Sequence, residues 1–292
     1  MTGLNKYNPK ISIIMNCHNC EKYLDIALNS VFSQTYHNWE IIFWDNNSTD
    51  NSSLITQKYK NKLFYYKSKT LLKLGTARRK AVNKASGDLL AFLDCDDVWL
   101  KNKLKLQVNE FKTHKASLIY SRAEIINESG KVIGLMPDNS KFKSGYIFKD
   151  LAKENFIPFV SVIMKRSTYY NVGGFPENYV NSTDYFLFLN VSLKNKIMFL
   201  PEVTCQYREH TQNLSKYNII RSVEEDIITL KNLLPNKDIQ NALSIKYTNL
   251  SIAYLKKFNL LNAIYYFIFF SNKTYFFERS LTKFLKYIKK FK

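Results

Sequence analysis

The segment LLAFLDCDDVWL, residues 89–100, sets an apolar run directly against three carboxylates, Asp94, Asp96 and Asp97. A stretch of Leu, Ala and Phe this long reads as a buried strand, and unpaired carboxylates are too costly to bury, so the acids belong at the mouth of that strand. Two or three carboxylates converging there make a hard, oxygen-rich site suited to Mg²⁺ or Mn²⁺, ions that usually arrive with a substrate's phosphates. The bland alternative is a solvated acidic turn in which Asp97 caps a following helix. The neighbouring segments decide between the two.

KISIIMN, residues 10–16, is a β-branched run, and after it Tyr23, Leu24, Ala27, Leu28 and Val31 recur at helical spacing. WEIIFWDNN, residues 39–47, repeats the pattern: a short apolar strand ending in Asp45, then Ser48, Thr49 and Asp50 able to cap the next helix. LFYYKS, residues 63–68, reads as a third strand, and residues 76–86 as a basic helix before the acidic strand end. Strands alternating with helices predict an α/β chain whose mostly parallel sheet carries helices on both faces, with ligands bound beyond the carboxyl ends of the strands. Asn16, Asp45 and Asp94 all fall at such ends, which capping alone does not explain.

The chain has 292 residues, 46% hydrophobic and 23% charged, enough for a large domain with an appendage. Its net charge of +19 calls for an anionic partner: nucleic acid, a phosphorylated substrate or an anionic membrane surface. Basic residues spread widely, the acids cluster at strand ends and no RNA-binding signature occurs, so nucleic acid is the weakest of the three. Richness in Lys, Asn, Ile and Phe with only 8 Gly also reflects genomic base composition. Cys17 and Cys20 form a Cys-x-x-Cys, but with no second pair or His set the four cysteines form no pattern that closes a zinc site. Reduced thiols in a cytosolic protein are the expectation. The opening MTGLNKYNPK lacks an apolar signal core, which argues against secretion.

PKISIIMNCHN, then SVFSQTYHNWEIIFWDNNSTD, then LGTARRKAVNKASGDLLAFLDCDDVW, in that order and spacing, resemble the nucleotide-binding half of a family 2 glycosyltransferase of the GT-A fold. The resemblance runs over roughly residues 9–215 and is strongest in the first hundred. It implies transfer of a sugar from a nucleotide diphosphate donor, with inversion at the anomeric carbon and a divalent metal, Mn²⁺ or Mg²⁺. It places His18 beside the base, Asp45 as acceptor from the base N3–H, Asp94 near the ribose, Asp96 on the metal and Arg78 near the donor, while Asn16 belongs to the same donor site by its strand-end position. UDP is the implied nucleotide. Asn46 and Asn47 depart from the usual Asp-Gly, and Arg79 from the usual Asn.

The chemistry asks for such parts independently. A departing nucleoside diphosphate needs its charge stabilised, and an acceptor hydroxyl must lose a proton to a carboxylate or His on the opposite side. Within residues 158–190, SVIMKR reads as a strand, Gly173-Gly174-Phe175 as a turn, and Asp184 as a carboxylate at the start of an apolar helix. Asp184 either caps that helix or serves as base; the resemblance matches it to the catalytic Asp of a Glu-Asp motif, with Thr183 where Glu is usual. Glu177 is the reserve candidate. In CQYREHTQNLS, residues 205–215, Arg208 could clamp a diphosphate and a neutral His210 could be a further metal ligand, as in the family's similar Tyr-Arg-x-His stretch.

From about residue 217 the pattern is helical. SVEEDIITLKNLL and NALSIKYTNLSIAYLKKF read as amphipathic helices with Pro235 between them. LLNAIYYFIFF is shorter than the ~20 residues that span a bilayer. TYFFERSLTKFLKYIKKFK adds Lys283, Lys286, Lys289, Lys290 and Lys292, which suits an anionic membrane interface or, alternatively, a packed bundle with a solvated basic face. The expected organisation is a catalytic domain over 1–216, with a nucleotide-sugar half at about 9–100 and an acceptor half at about 101–216, and a basic, aromatic-rich helical region over 217–292. The favoured function is a metal-dependent transferase of hexosyl type, cytoplasmic and peripheral on the inner face of the membrane. It would build bacterial surface polysaccharide, lipopolysaccharide or glycoprotein glycan on a glycan or lipid-linked acceptor. A catalytically inactive scaffold, suggested by Thr183 and Asn46, and a nucleic-acid-binding protein are the alternatives.

Overall fold

The computed structural model describes residues 7–138, 142–234 and 237–271. In chain order these form β1 (Ile11–Cys17), α1 (Glu21–Phe32), β2 (Trp39–Asp45), α2 (Ser52–Thr56), β3 (Leu63–Lys67), α3 (Leu74–Val82), β4 (Leu89–Phe92) and β5 (Val98–Trp99). There follow α4 (Lys103–Thr113), β6 (Leu118–Ile126), β7 (Val132–Met136), α5 (Phe148–Lys153), β8 (Ile163–Lys165), α6 (Arg166–Asn171), α7 (Thr183–Ser192) and β9 (Ile197–Arg208). The helical end comprises α8 (Leu214–Tyr217), α9 (Ile219–Lys231), α10 (Lys237–Lys256) and α11 (Leu260–Phe270).

The described strands join one mixed sheet in the order β3-β2-β1-β4-β8-β6-β9-β5, with β7 paired to β6. β1 to β4 run parallel, as the alternation predicts; β8 enters antiparallel between β4 and β6. Successive residues of a strand face opposite sides, so Ile13, Ile41 and Phe43 pack beneath α1 against Leu24 and Leu28. Ile14, Ile42 and Phe92 join the other core, with Ala77 and Ala81 of α3 and Leu187 and Phe188 of α7. Each of the Ile, Leu and Phe side chains taken fully from water contributes about 1.5–3 kcal/mol.

Register brings the polar strand ends together. Cys17 of β1 pairs with Asp45 of β2, and Ile14 pairs with Phe92 of β4, so two residues further on Asn16 comes level with Asp94. The residues after Asp97 form β5 rather than a helix, and α4 begins at Lys103 behind Asn102, so Asp97 does not cap it. The predicted basic helix is α3, shifted to Leu74–Val82. Its start lies hard against the 176–179 segment: Gly75 N–H donates to Tyr179 O, and a Cβ on Gly75 would stand 1.8 Å from Pro176 O.

The helical end is built onto the sheet's second core. Leu230, Ile239 and Ala242 join the same cluster as α3 and α7. Glu225, fully buried, accepts from the backbone N–H groups of Val180, Asn181 and Ser182, the turn that leads into α7. By contrast α11 packs chiefly on α10, stacking Tyr266 against Tyr247 and Tyr254, with Tyr266 also reaching the small cluster around Val223 and Ile227 of α9. Its far side leaves Leu261, Ile264, Ile268 and Phe269 exposed. No described helix is long and apolar enough to cross a membrane. Pro235 and the lysine-rich helix expected at the C-terminus, Lys283 to Lys292, lie outside the described residues.

Candidate active site

Three strand ends and the turn after β9 build one rim. Asp94 and Asp96 keep 38% and 30% of their side chains exposed, while Asp97 is buried beneath them. Burial and then the neighbouring Asp94 raise the Asp96 carboxyl above its ordinary range against the opposing pull of His210. Asp97 is pushed up well beyond that range by burial first and the other two acids second. The rim thus carries excess negative charge on hard oxygens, which fits a divalent cation.

His210 is the partner of Asp96, with Nε2 2.8 Å from Oδ2. Gln212 N–H donates to His210 Nδ1 at 3.2 Å, so that nitrogen carries the lone pair and a neutral ring has its proton on Nε2, pointing at Asp96. As placed, His210 therefore orients Asp96, and to ligate a metal through Nε2 it would have to exchange tautomers against the Gln212 N–H. Arg208 also differs from the expected diphosphate clamp. It is 3% exposed; its N–H donates to Asp97 Oδ1, its Nε to Asp96 O, and its Nη1 to Asn127 O and Glu128 O. Its guanidinium lies 4.5 Å over Tyr23, whose ring also sits 5.7 Å from His210. Arg208 is spent on fixing the Asp96–Asp97 turn. Tyr23, read in the sequence as one apolar residue of a helix face, supports both.

At the other end of the rim, Asp45 is fully buried: Oδ1 accepts from Ser48 N–H at 2.7 Å, Oδ2 from the Tyr65 hydroxyl, and Lys67 Nζ stands 3.7 Å away. A base would meet Asp45 together with Tyr65, not a bare carboxylate. Asn47, where the resembling family has Gly, adopts φ 63°, a left-handed conformation that Asn tolerates better than most residues. Asn46 ties this turn to the approach to α3, its Oδ1 accepting from Ser68 Oγ and Leu72 N–H. Asp50 serves two helix starts, accepting from Glu21 N–H of α1 and Ser52 N–H of α2. His18 is exposed, its Nδ1 3.1 Å from Asn46 O. The Asn16 Nδ2, at the end of β1, is buried with no hydrogen-bond partner, a donor without an internal explanation.

Arg78 links the two halves. Nearly buried and lying 4.0 Å over Phe159, it donates from Nη2 to Asp94 Oδ1 at 2.9 Å and from Nη1 to Thr183 Oγ1 at 2.6 Å. Thr183, standing where Glu is usual in the resembling family, thus accepts from the arginine. Next to it in α7, Asp184 accepts from Asn155 Nδ2 at 2.9 Å. Burial raises the Asp184 carboxyl, with Arg78 opposing, and a carboxylate raised this way is a better proton acceptor. Glu177 lies apart, largely exposed and paired with Arg79 at 3.2 Å; Arg79 also fastens the Gly173 and Phe175 carbonyls to α3. No sequence signal marks Asn155 or Tyr65, because their partners are distant in the chain.

The cysteines correct the sequence reading. Cys95 joins Cys17 and Cys20, and the three sulfurs lie within 4.8 Å of one another, a group with metal-ligating potential that the spacing alone does not display.

The family model described as Glycosyl transferase family 2 matches residues 12–173. The UDP-Glc:alpha-D-GlcNAc-diphosphoundecaprenol beta-1,3-glucosyltransferase WfgD of Escherichia coli is 32% identical over 188 residues, which are 64% of this chain and 71% of the relative. Among solved structures, residues 1–349 of TarS of S. aureus with UDP-GlcNAc superpose with a TM-score of 0.64 at 18% identity, covering 87% of this chain and 89% of that 1–349 chain. The mannosyltransferase PcManGT of Pyrobaculum calidifontis, in complex with GDP-Man and Mn²⁺, gives 0.64 at 14% identity, covering 89% of this chain and 74% of its own. At these identities the two structures speak for a shared GT-A fold.

Proposed function

This chain belongs to glycosyltransferase family 2, and from that premise we propose that it transfers a sugar from a UDP-sugar, with inversion, to a hydroxyl of a lipid-linked glycan during surface polysaccharide synthesis. The observation that supports this best is the Arg78 bridge, which sets the donor-side Asp94 and the helix bearing Asp184 around one guanidinium. A lipid-linked acceptor and a UDP donor follow the activity named for the Escherichia coli relative.

In this reading His18 and the Asp45–Tyr65 pair face the base, Asn16 and Asp94 meet the sugar-nucleotide, and Asp96, oriented by His210, would hold Mn²⁺ or Mg²⁺. When bound, the cation would neutralise charge gathering on the departing nucleoside diphosphate. Asp184 accepts the proton of the acceptor hydroxyl as its oxygen bonds to the anomeric carbon and the carbon–phosphate oxygen bond breaks. Arg78 keeps Asp94 and α7 in register and, close to Asp184, favours its ionised form. Arg208 acts through the turn that it holds.

Asp184→Asn is the deciding variant. It should keep the thermal stabilisation by UDP-sugar, about 2.7 kcal/mol at a hundredfold excess over Kd, while turnover falls about 10²- to 10⁴-fold. Unchanged turnover would remove Asp184 from the role; no stabilisation by any nucleotide sugar in either protein would favour an inactive scaffold.

The acceptor's lipid also gives the exposed face of α11 a use. An 11-residue helix is about 16 Å long, too short to span a bilayer but suited to lying in its interface. With +19 of charge behind it, we place that face on the anionic inner leaflet of the membrane, with the enzyme cytoplasmic. Ile264→Glu with Phe269→Glu should reduce sedimentation with anionic liposomes while turnover on a water-soluble acceptor stays the same; equal sedimentation would refute the assignment.

A further inference from the structure

Three of the four cysteines in the chain come from separate places and meet at one point. Cys17 closes β1, Cys20 stands immediately before α1, and Cys95 lies between Asp94 and Asp96 after β4. Asn19, with φ 56°, turns the chain so that the two sulfurs of the Cys-x-x-Cys approach each other. Cys95 Sγ approaches across the sheet, 3.4 Å from Asn16 O. Two serines complete the surround. Ser48 Oγ accepts from Asn19 N–H and Ser52 Oγ from Cys20 N–H, and Ser48 Oγ stands 3.6 Å from Cys17 Sγ.

We propose that Cys17, Cys20 and Cys95 form a structural site for a thiophilic divalent cation, Zn²⁺ in the first instance, separate from the carboxylate rim. Zinc bonds of about 2.3 Å to sulfur and 2.0 Å to oxygen put tetrahedral ligands about 3.8 Å apart for two sulfurs and about 3.5 Å for sulfur and oxygen. Three sulfurs within 4.8 Å need to close by no more than about 1 Å, and the Ser48 hydroxyl or a water fits the fourth position. The ligands must be thiolates, and the start of the 12-residue α1 directly after Cys20 brings the positive end of a helix dipole to the site. Cys17 and Cys95 are buried while Cys20 is partly exposed, which leaves an entry path. Soft sulfur ligands select Zn²⁺ over the Mg²⁺ or Mn²⁺ suited to Asp96, so one chain holds two metals without exchange. The bound ion would pin the ends of β1 and β4, from which Asn16, His18, Asp94 and Asp96 project.

The test needs no nucleotide sugar and no turnover. Full-length protein freed of metal is titrated with Co²⁺ and then Zn²⁺. The site predicts an equimolar thiolate-to-cobalt charge-transfer band that zinc displaces and Mn²⁺ does not. Cys20→Ser, the most exposed of the three positions, should lose the band; Asp96→Asn should keep it. Several results would overturn the proposal: no band in the wild-type protein, a band that survives both Cys20→Ser and Cys95→Ser, or recovery of a Cys17–Cys20 or Cys17–Cys95 disulfide from zinc-loaded protein under air. Because Asp96→Asn removes the proposed donor cation and leaves this one, failure here is distinguishable from failure of the glycosyl-transfer reading.

Discussion

Two sets of acids lie close to the start of α7, and they are handled differently. Glu225 and Asp226 of α9 are sealed: Glu225 carries three backbone N–H groups and the Arg221 guanidinium, and Asp226 is paired with Lys246 at 2.7 Å. Asp94, Asp96 and Asp97 share one histidine and two arginines, of which Arg208 reaches Asp97 only through its backbone N–H and uses its guanidinium on carbonyls. Asp94 and Asp96 also stay about one-third exposed, while the Glu225 side chain is 1% exposed. A fold that can satisfy acids as fully as it does at Glu225 leaves the rim acids short of positive charge, and that deficit is what a cation and a diphosphate ligand require.

The contrast can be broken most sharply at the rim. Asp96→Asn should lower turnover about 10²- to 10³-fold, or about 3–4 kcal/mol of transition-state stabilisation, with the thermal midpoint of the metal-free protein nearly unchanged. A variant that lost stability instead would make Asp96 another structural acid. Glu225→Ala should do the reverse. Three N–H groups lose their acceptor, so the protein should be destabilised by about 3 kcal/mol in denaturant unfolding, and activity should fall only as far as the turn before Asp184 loosens.

A smaller effect separates the sets by pH. Asp96 and Asp226 both have raised carboxyls, so in the window above the ordinary carboxylate range the folded chain binds more protons than the unfolded one. Stability therefore falls as pH rises through that window. In the proposed reading Mn²⁺ would bind only the ionised rim, so it should stabilise the wild-type protein by about 1 kcal/mol more at about pH 8 than at about pH 5. In Asp96→Asn that manganese-dependent difference should vanish while the slope due to Asp226 persists. A pH-independent manganese shift would place the ion elsewhere.

Much of this was legible in the chain. Strand and helix alternation gives the parallel half of the sheet, since period and breakers are local properties, and the strand-end positions of Asn16, Asp45 and Asp94 follow from it. The second residue of α7 was identifiable as Asp184 for the same reason. Local pattern could not show that Asp97 supports Arg208 instead of capping a helix, nor that Arg208 faces inward. Those depend on β5 pairing with β9, which lies about a hundred residues away.

The sequence by itself determined which residue types stand at the strand ends, because apolar runs and their polar terminations are written in neighbouring residues. Tertiary structure alone decided their partners. It gave Arg78 both Asp94 and Thr183, turned His210 into the orienting donor for Asp96, buried Glu225 under the approach to Asp184, and brought Cys95 to Cys17 and Cys20. Each of these contacts joins side chains on different elements, and such distances are set by sheet register and helix packing, which no local spacing encodes.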